Sequence, residues 1–118
     1  MSARMHLSHA YDAQVHDESE RYAVAVEILT LLADRTRLAL LRRLVEGEAD
    51  VGTLTEVCGA SRTSVSQHLA RLRLAGLVTT RKEGRRVVYA LPHGHVSRLV
   101  DEALRVADHR IGNLPPHD

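Results

Sequence analysis

Apolar residues recur every three to four positions over most of the chain, and that spacing predicts helices. Tyr22, Val26, Ile28 or Leu29, and Leu32 mark the first, from Glu18 onward. Leu38, Leu41 and Val45 form a stripe on the second, with Asp34 placed to cap its free amides and Gly47 to end it. After an acidic loop, EADVG, the segment TLTEVCG reads as a short third helix closed by Gly59, whose missing Cβ suits a left-handed cap. Ser61 caps a fourth, SRTSVSQHLARLRLAG, with Val65, Leu69 and Leu72 facing inward and Gly76 at its end. The period then changes: LVTTRKEGRRVVYAL is two Val- and Thr-rich runs around a Lys-Glu-Gly turn, the pattern of a β-hairpin. Pro92 interrupts the chain, and Val96, Leu99, Val100, Ala103, Leu104 and Ala107 predict a fifth helix from about His95 to Ile111. The expected fold is mainly α, five helices with one small β-hairpin.

At 118 residues the chain has room for one domain of ordinary size. Residues 1–17 are polar and rich in histidine, without periodicity, and read as a flexible arm; residues 18–111 read as the folded domain and 112–118 as a frayed tail. Apolar residues make up 44%, with no Trp or Phe and three Tyr, so the core must be built from Leu, Val, Ala and Ile. No apolar run approaches the roughly 20 residues of a membrane span, and there is no basic-then-apolar leader, which predicts a cytoplasmic protein. Cys58 is the single cysteine, so neither an internal disulfide nor a CxxC thiolate site is available; it is expected to be a small core residue.

The net charge of +1 hides an uneven distribution. Between Arg62 and Arg86 seven basic residues face one acid, Glu83, giving +6 and leaving −5 for the remainder. A solvated surface is the ordinary reading of such a run, and a polyanion-binding face the sharper one. The helices on either side of Gly59 decide between them. Two short helices joined by a tight turn have the dimensions of a helix-turn-helix, whose second helix enters a major groove about 12 Å wide. The non-apolar positions of that second helix and its cap include Ser61, Arg62, Thr63, Ser64, Ser66, Gln67, His68 and Arg71. Small hydroxyls allow close approach, an amide pairs with adenine, arginine pairs with guanine or phosphate, and a merely solvated helix would carry the acids this one lacks. Arg81, Lys82, Arg85 and Arg86 around Gly84 give the hairpin a cationic tip suited to phosphates or a minor groove. Helix-turn-helix and hairpin together describe a winged helix.

Three segments, LLADRTRLALLRRL (31–44), SRTSVSQHLARLRLAGLV (61–78) and RKEGRRVVYAL (81–91), in this order resemble the ArsR/SmtB metal-responsive transcriptional regulators over roughly residues 20–110. Family members usually have proline where this chain has Arg35. The resemblance implies a homodimer paired through its first and last helices, bound to a partly palindromic double-stranded operator, with DNA affinity modulated by a divalent metal. Apolar residues around much of the last helix's circumference independently favour dimerisation.

The resemblance also implies a metal site on the last helix, in the pattern Asp-x-His, ten residues, His, two residues, then Glu or His. His93, His95 and His109 fall at three of these positions, while Val106 occupies the fourth and cannot ligate. His95 and His109 are fourteen residues apart, or roughly 21 Å along a helix though about 40° apart around it. One chain cannot clamp an ion with both; two antiparallel last helices can. Asp108, an arm histidine (His6, His9 or His16) or water would complete the set. Nitrogen and oxygen donors suit Ni(II), Zn(II) or Co(II), with Ni(II) favoured by an octahedral site that recruits the arm. The family's thiolate site needs a Cys-x-Cys absent here. Against a metal stand the commonness of histidines near helix ends and the favourable placement of imidazolium at a helix C-terminus. A metal-independent winged-helix regulator, or an interaction module docking a protein on the last helix, is the alternative. No triad, carboxylate pair or phosphate loop supports an enzyme.

Overall fold

The second predicted helix forms the centre of the fold. In the computed structural model, which describes residues 17–113, it spans Arg35–Val45 (α2) and follows a first helix, Glu18–Leu32 (α1). Asp34 is extended, and its Oδ2 accepts the Arg37 backbone N–H at 2.8 Å, satisfying one of the amides a helix start leaves open. Leu40, Leu41 and Leu44 are buried, whereas Leu38 and Val45 are half-buried, so the inward ridge is displaced by about one residue from the expected stripe. The cause is that α2 is covered on several sides. It packs against α3 (Val51–Cys58), α4 (Arg62–Leu74) and α5 (Gly94–Asn113). Leu54 of α3, Val65, Leu69 and Leu72 of α4, and Val100 of α5 are wholly buried around it. Each such leucine contributes about 2 kcal/mol of transfer free energy. Cys58 is half-buried at the end of α3 rather than fully in the core.

The sheet is larger than the hairpin the sequence predicts. β2 (Thr79–Glu83) and β3 (Arg86–Ala90) pair antiparallel from Thr79 opposite Ala90 to Glu83 opposite Arg86. Their turn is Gly84 and Arg85, not Lys-Glu-Gly, with Gly84 at φ +64° in the position that type II′ turns reserve for glycine. The expected acidic loop holds a third strand, β1 (Ala49–Asp50), which pairs with β3 through Ala49 opposite Tyr89 and Asp50 opposite Val88. Asp50 also caps α3, accepting the Thr53 N–H at 2.9 Å, so α3 starts two residues earlier than expected.

The described residues divide into two units, one ending at Thr30 and one beginning at Leu31. In the first, Tyr22, Val26 and Leu29 of α1 are exposed, at 66%, 59% and 52%. Of the predicted stripe only Leu32, in the second unit, is buried. α5 likewise buries Val96 and Val100 while exposing Val106 and Ile111. It continues to Asn113, two residues past its expected end. Among the described residues no helix is long and apolar enough to cross a membrane.

Candidate nucleic-acid interface

The helix-turn-helix is built by local chemistry at each joint. Gly59 closes α3 in the left-handed conformation (φ +67°), its N–H donating to the Thr55 carbonyl. Ser61 then caps α4, its Oγ accepting the Ser64 N–H at 3.1 Å. Because Val65, Leu69 and Leu72 face the core, the opposite side of α4 is left to solvent. Arg62, Thr63, Ser66, Gln67 and Ala70 line an open depression there, and Ser61 and Arg71 are also exposed. Ser64 is half-buried, and no acid occurs on the helix. The face has the short hydroxyls, the amide and the guanidinium that base edges and phosphates can pair with.

His68 is the exception among the residues expected to read DNA. Its side chain is 22% exposed, and its Nδ1 lies 3.2 Å from Arg37 Nη1 and 3.8 Å from Asp34 Oδ2. It points toward α2 and not into the depression. The signal was present in the spacing: on a helical wheel His68 falls about 40° from Leu72 and about 60° from Val65, at the border of the buried face.

The wing is less cationic than its sequence. Arg81 pairs with Glu48 and, at 2.6 Å, with Glu83. Arg86 pairs with Asp50 at 3.1 Å and with Glu83 at 3.5 Å. Glu48 and Asp50 come from the segment read as a loop, and β1 brings them alongside β3. Hydrogen bonds that Arg81 donates to Glu48 and Glu83 raise its pKa, and the one to Glu83 holds that carboxyl below the usual range. Asp50 is lowered too, first by the Thr53 N–H it caps and then by Arg86. Among the described residues Lys82 and Arg85 form no ion pair and are exposed at the tip. Arg85 and Arg86 share with Arg62 a groove of about 280 Å³, floored by Asp50, Val51, Gly52 and Val87, which joins the wing to the start of α4.

A family profile described as a helix-turn-helix domain matches residues 32–81. The chain is 41% identical over 98 residues to the HTH-type transcriptional regulator KmtR of Mycobacterium tuberculosis, covering 83% of this chain and 75% of that one. The fold superposes on reduced HlyU from Vibrio cholerae with a TM-score of 0.69 at 38% identity, over 75% of this chain and 93% of that one. It also superposes on the homodimeric winged helix-turn-helix DNA-binding domain Mb0332 of Mycobacterium bovis, with a TM-score of 0.73 at 28% identity, over 88% and 99%. The chain belongs to the ArsR/SmtB family of winged-helix transcriptional regulators.

In this ArsR/SmtB chain the histidines of the last helix are separated as the helical rise requires. His93 and His95 flank the start of α5 with ring centroids 5.2 Å apart, edge to face. His93 Nδ1 accepts the His95 backbone N–H at 3.2 Å, and Arg98 Nη2 donates to His95 Nδ1 at 2.8 Å. His109, near the far end, meets Asn113 Nδ2 at 2.8 Å through its Nε2, with Asp108 exposed beside it. His6, His9 and His16 lie outside the described residues. Among the described residues no three His, Cys, Asp or Glu side chains come together to hold an ion. One protomer therefore offers two imidazoles at one end of α5, and one imidazole with a carboxylate at the other. Neither end of α5 by itself brings together three such donors among the described residues.

Proposed function

We propose that this regulator binds a partly palindromic operator as a homodimer, each protomer laying α4 in the major groove. Thr63, Ser66 and Gln67 reach base edges, with Arg62 and Arg71 on bases or phosphates; Ser61 and Ser64 hold the start of the helix. Lys82 and Arg85 contact the backbone from the wing, and Arg62, Arg85 and Arg86 line a groove suited to a phosphate. The observation that carries this reading is the acid-free exposed face of α4, continuous with that arginine-lined groove. The homodimeric DNA-binding domain it resembles supports the two-fold arrangement, as do the apolar side chains of α1 and α5 that the protomer leaves in water.

The reading extends to a divalent metal, Ni(II) in preference to Zn(II) or Co(II), that alters operator affinity. His93 and His95 of one subunit would hold it together with His109 and Asp108 of the partner subunit, with His6 or His9 of the arm as further donors. Val106, exposed at 61% where the family places a ligand, favours the second reading, a metal-independent regulator or a helix that docks a protein partner. Fluorescence anisotropy with duplexes from the protein's own promoter region, with and without Ni(II), separates the two. The regulator reading requires one duplex bound at least about 10³-fold tighter than random DNA. The sensor reading requires Ni(II) to shift that affinity.

A further inference from the structure

Arg37 is the one buried charged residue among the described residues, at 8% exposure, and its side chain lies between α2 and α4. Its Nε donates to the Leu31 carbonyl at 2.6 Å, one of the acceptors that the end of α1 leaves without a helical donor. Its Nη1 approaches His68 Nδ1 on α4 at 3.2 Å, and its backbone N–H is held by the Asp34 cap. Guanidinium only donates, so the neutral His68 ring accepts at Nδ1 and carries its proton on Nε2. We propose that Arg37 and His68 are positioning residues that fix the rotation of the recognition helix, acting on operator affinity without reading a base.

The apolar contacts of Val65, Leu69 and Leu72 hold α4 against the core but are non-directional, so leucines tolerate a modest turn of the helix about its axis. A hydrogen bond is directional and weakens steeply off axis. Successive residues are about 100° apart around a helix, so a turn of a few tens of degrees moves Thr63, Ser66 and Gln67 off the base edges they face. The Arg37–His68 bond ties α2 to α4, and the same side chain also holds the Leu31 carbonyl. The effect on operator affinity rests on the DNA-binding reading above; the tie itself does not.

The test compares His68→Asn with His68→Gln. An asparagine amide oxygen falls close to the position of Nδ1, whereas that of glutamine falls near Nε2, so only asparagine keeps the acceptor for Arg37. Intrinsic helix propensity ranks the two the other way, glutamine above asparagine. Native-state hydrogen exchange of the α4 amides should therefore stay near wild type in His68→Asn and fall on the order of tenfold in His68→Gln and Arg37→Ala. Operator affinity should follow the same order, with a loss that is uniform across base substitutions in the operator. Imidazole ¹⁵N spectra of the free wild-type protein should show His68 as the Nε2–H tautomer. Equal or better α4 protection in His68→Gln than in His68→Asn, an Nδ1–H tautomer, or a loss confined to one operator base pair would each overturn the proposal. If wild type binds no duplex above random DNA, the DNA-binding reading fails, while the exchange order and the tautomer still decide the role of Arg37 and His68.

Discussion

The wing offers a quantitative prediction, because its four cations divide into two kinds. Arg81 and Arg86 are already engaged by Glu48, Glu83 and Asp50, while Lys82 and Arg85 form no such pair. A cation held by its own acids neutralises no phosphate and so releases none of the counter-ions condensed on the DNA. Each phosphate newly neutralised contributes about 0.9 to the slope of log K against log salt. Arg85→Ala in a homodimer removes two contacts and should reduce that slope by about 1.8. Between 50 and 200 mM salt, wild type should then lose roughly 12-fold more affinity than the variant. Arg81→Ala, which removes the same formal charge, should leave the slope within about 0.5 of wild type. Anisotropy titrations of one operator duplex at four or five salt concentrations measure this directly. If Arg81→Ala flattens the slope as much as Arg85→Ala, DNA phosphates displace Glu48 and Glu83, and the Arg81 ion pairs do not persist in the complex.

Two further outcomes follow from the core and from the caps. Leu54→Ala removes a wholly buried side chain and should destabilise the fold by about 2–5 kcal/mol, read as a lower urea midpoint at unchanged slope. The Asp34 carboxyl is held below its ordinary range, first by the Arg37 backbone N–H and then by the Arg37 charge. Its contribution is therefore present above the unfolded value, about pH 4, and is lost as pH falls through the lower folded value. Asp34→Asn should lose less stability than wild type over that acid range while retaining a cap, and parallel acid-unfolding curves would contradict this.

Much of the fold was legible because its punctuation is local. Asp34, Ser61 and Gly59 perform within three or four residues the capping their side chains predict, so helix order and the helix-turn-helix could be read directly. β1 was not legible: two residues carry no period, and Ala49–Asp50 becomes a strand only because β3 lies beside it. The same long-range pairing brings Glu48 and Asp50 to the wing arginines and cancels charge that the sequence shows as free. His68 has the residue type and the helix of a DNA reader, but its angular position places it beside Val65 and Leu72. The α1 stripe misled for the opposite reason. Periodicity reports that a face seeks burial but not whether the same chain or another copy supplies the cover.

That distinction sets the strongest test of the metal reading. If the site draws His93 and His95 from one subunit and His109 from the other, metal binding and dimerisation are linked by geometry, since the two ends of one α5 stay roughly 20 Å apart. His95→Ala and His109→Ala homodimers would each contain two damaged sites. In a mixed dimer of the two variants the damage collects in one site, which loses both imidazoles, and the other keeps His95 from one subunit and His109 from its partner. Random mixing makes half of all dimers mixed, so about a quarter of wild-type Ni(II) capacity should return when two inactive proteins are combined. Calorimetry on the mixture against each variant alone measures it. Recovery cannot arise if each chain binds metal with its own donors, nor if His93 and His95 suffice alone, because His109→Ala would then bind normally before mixing. No recovery, with each variant shown to dimerise, would remove the shared site and leave the metal-independent reading in place.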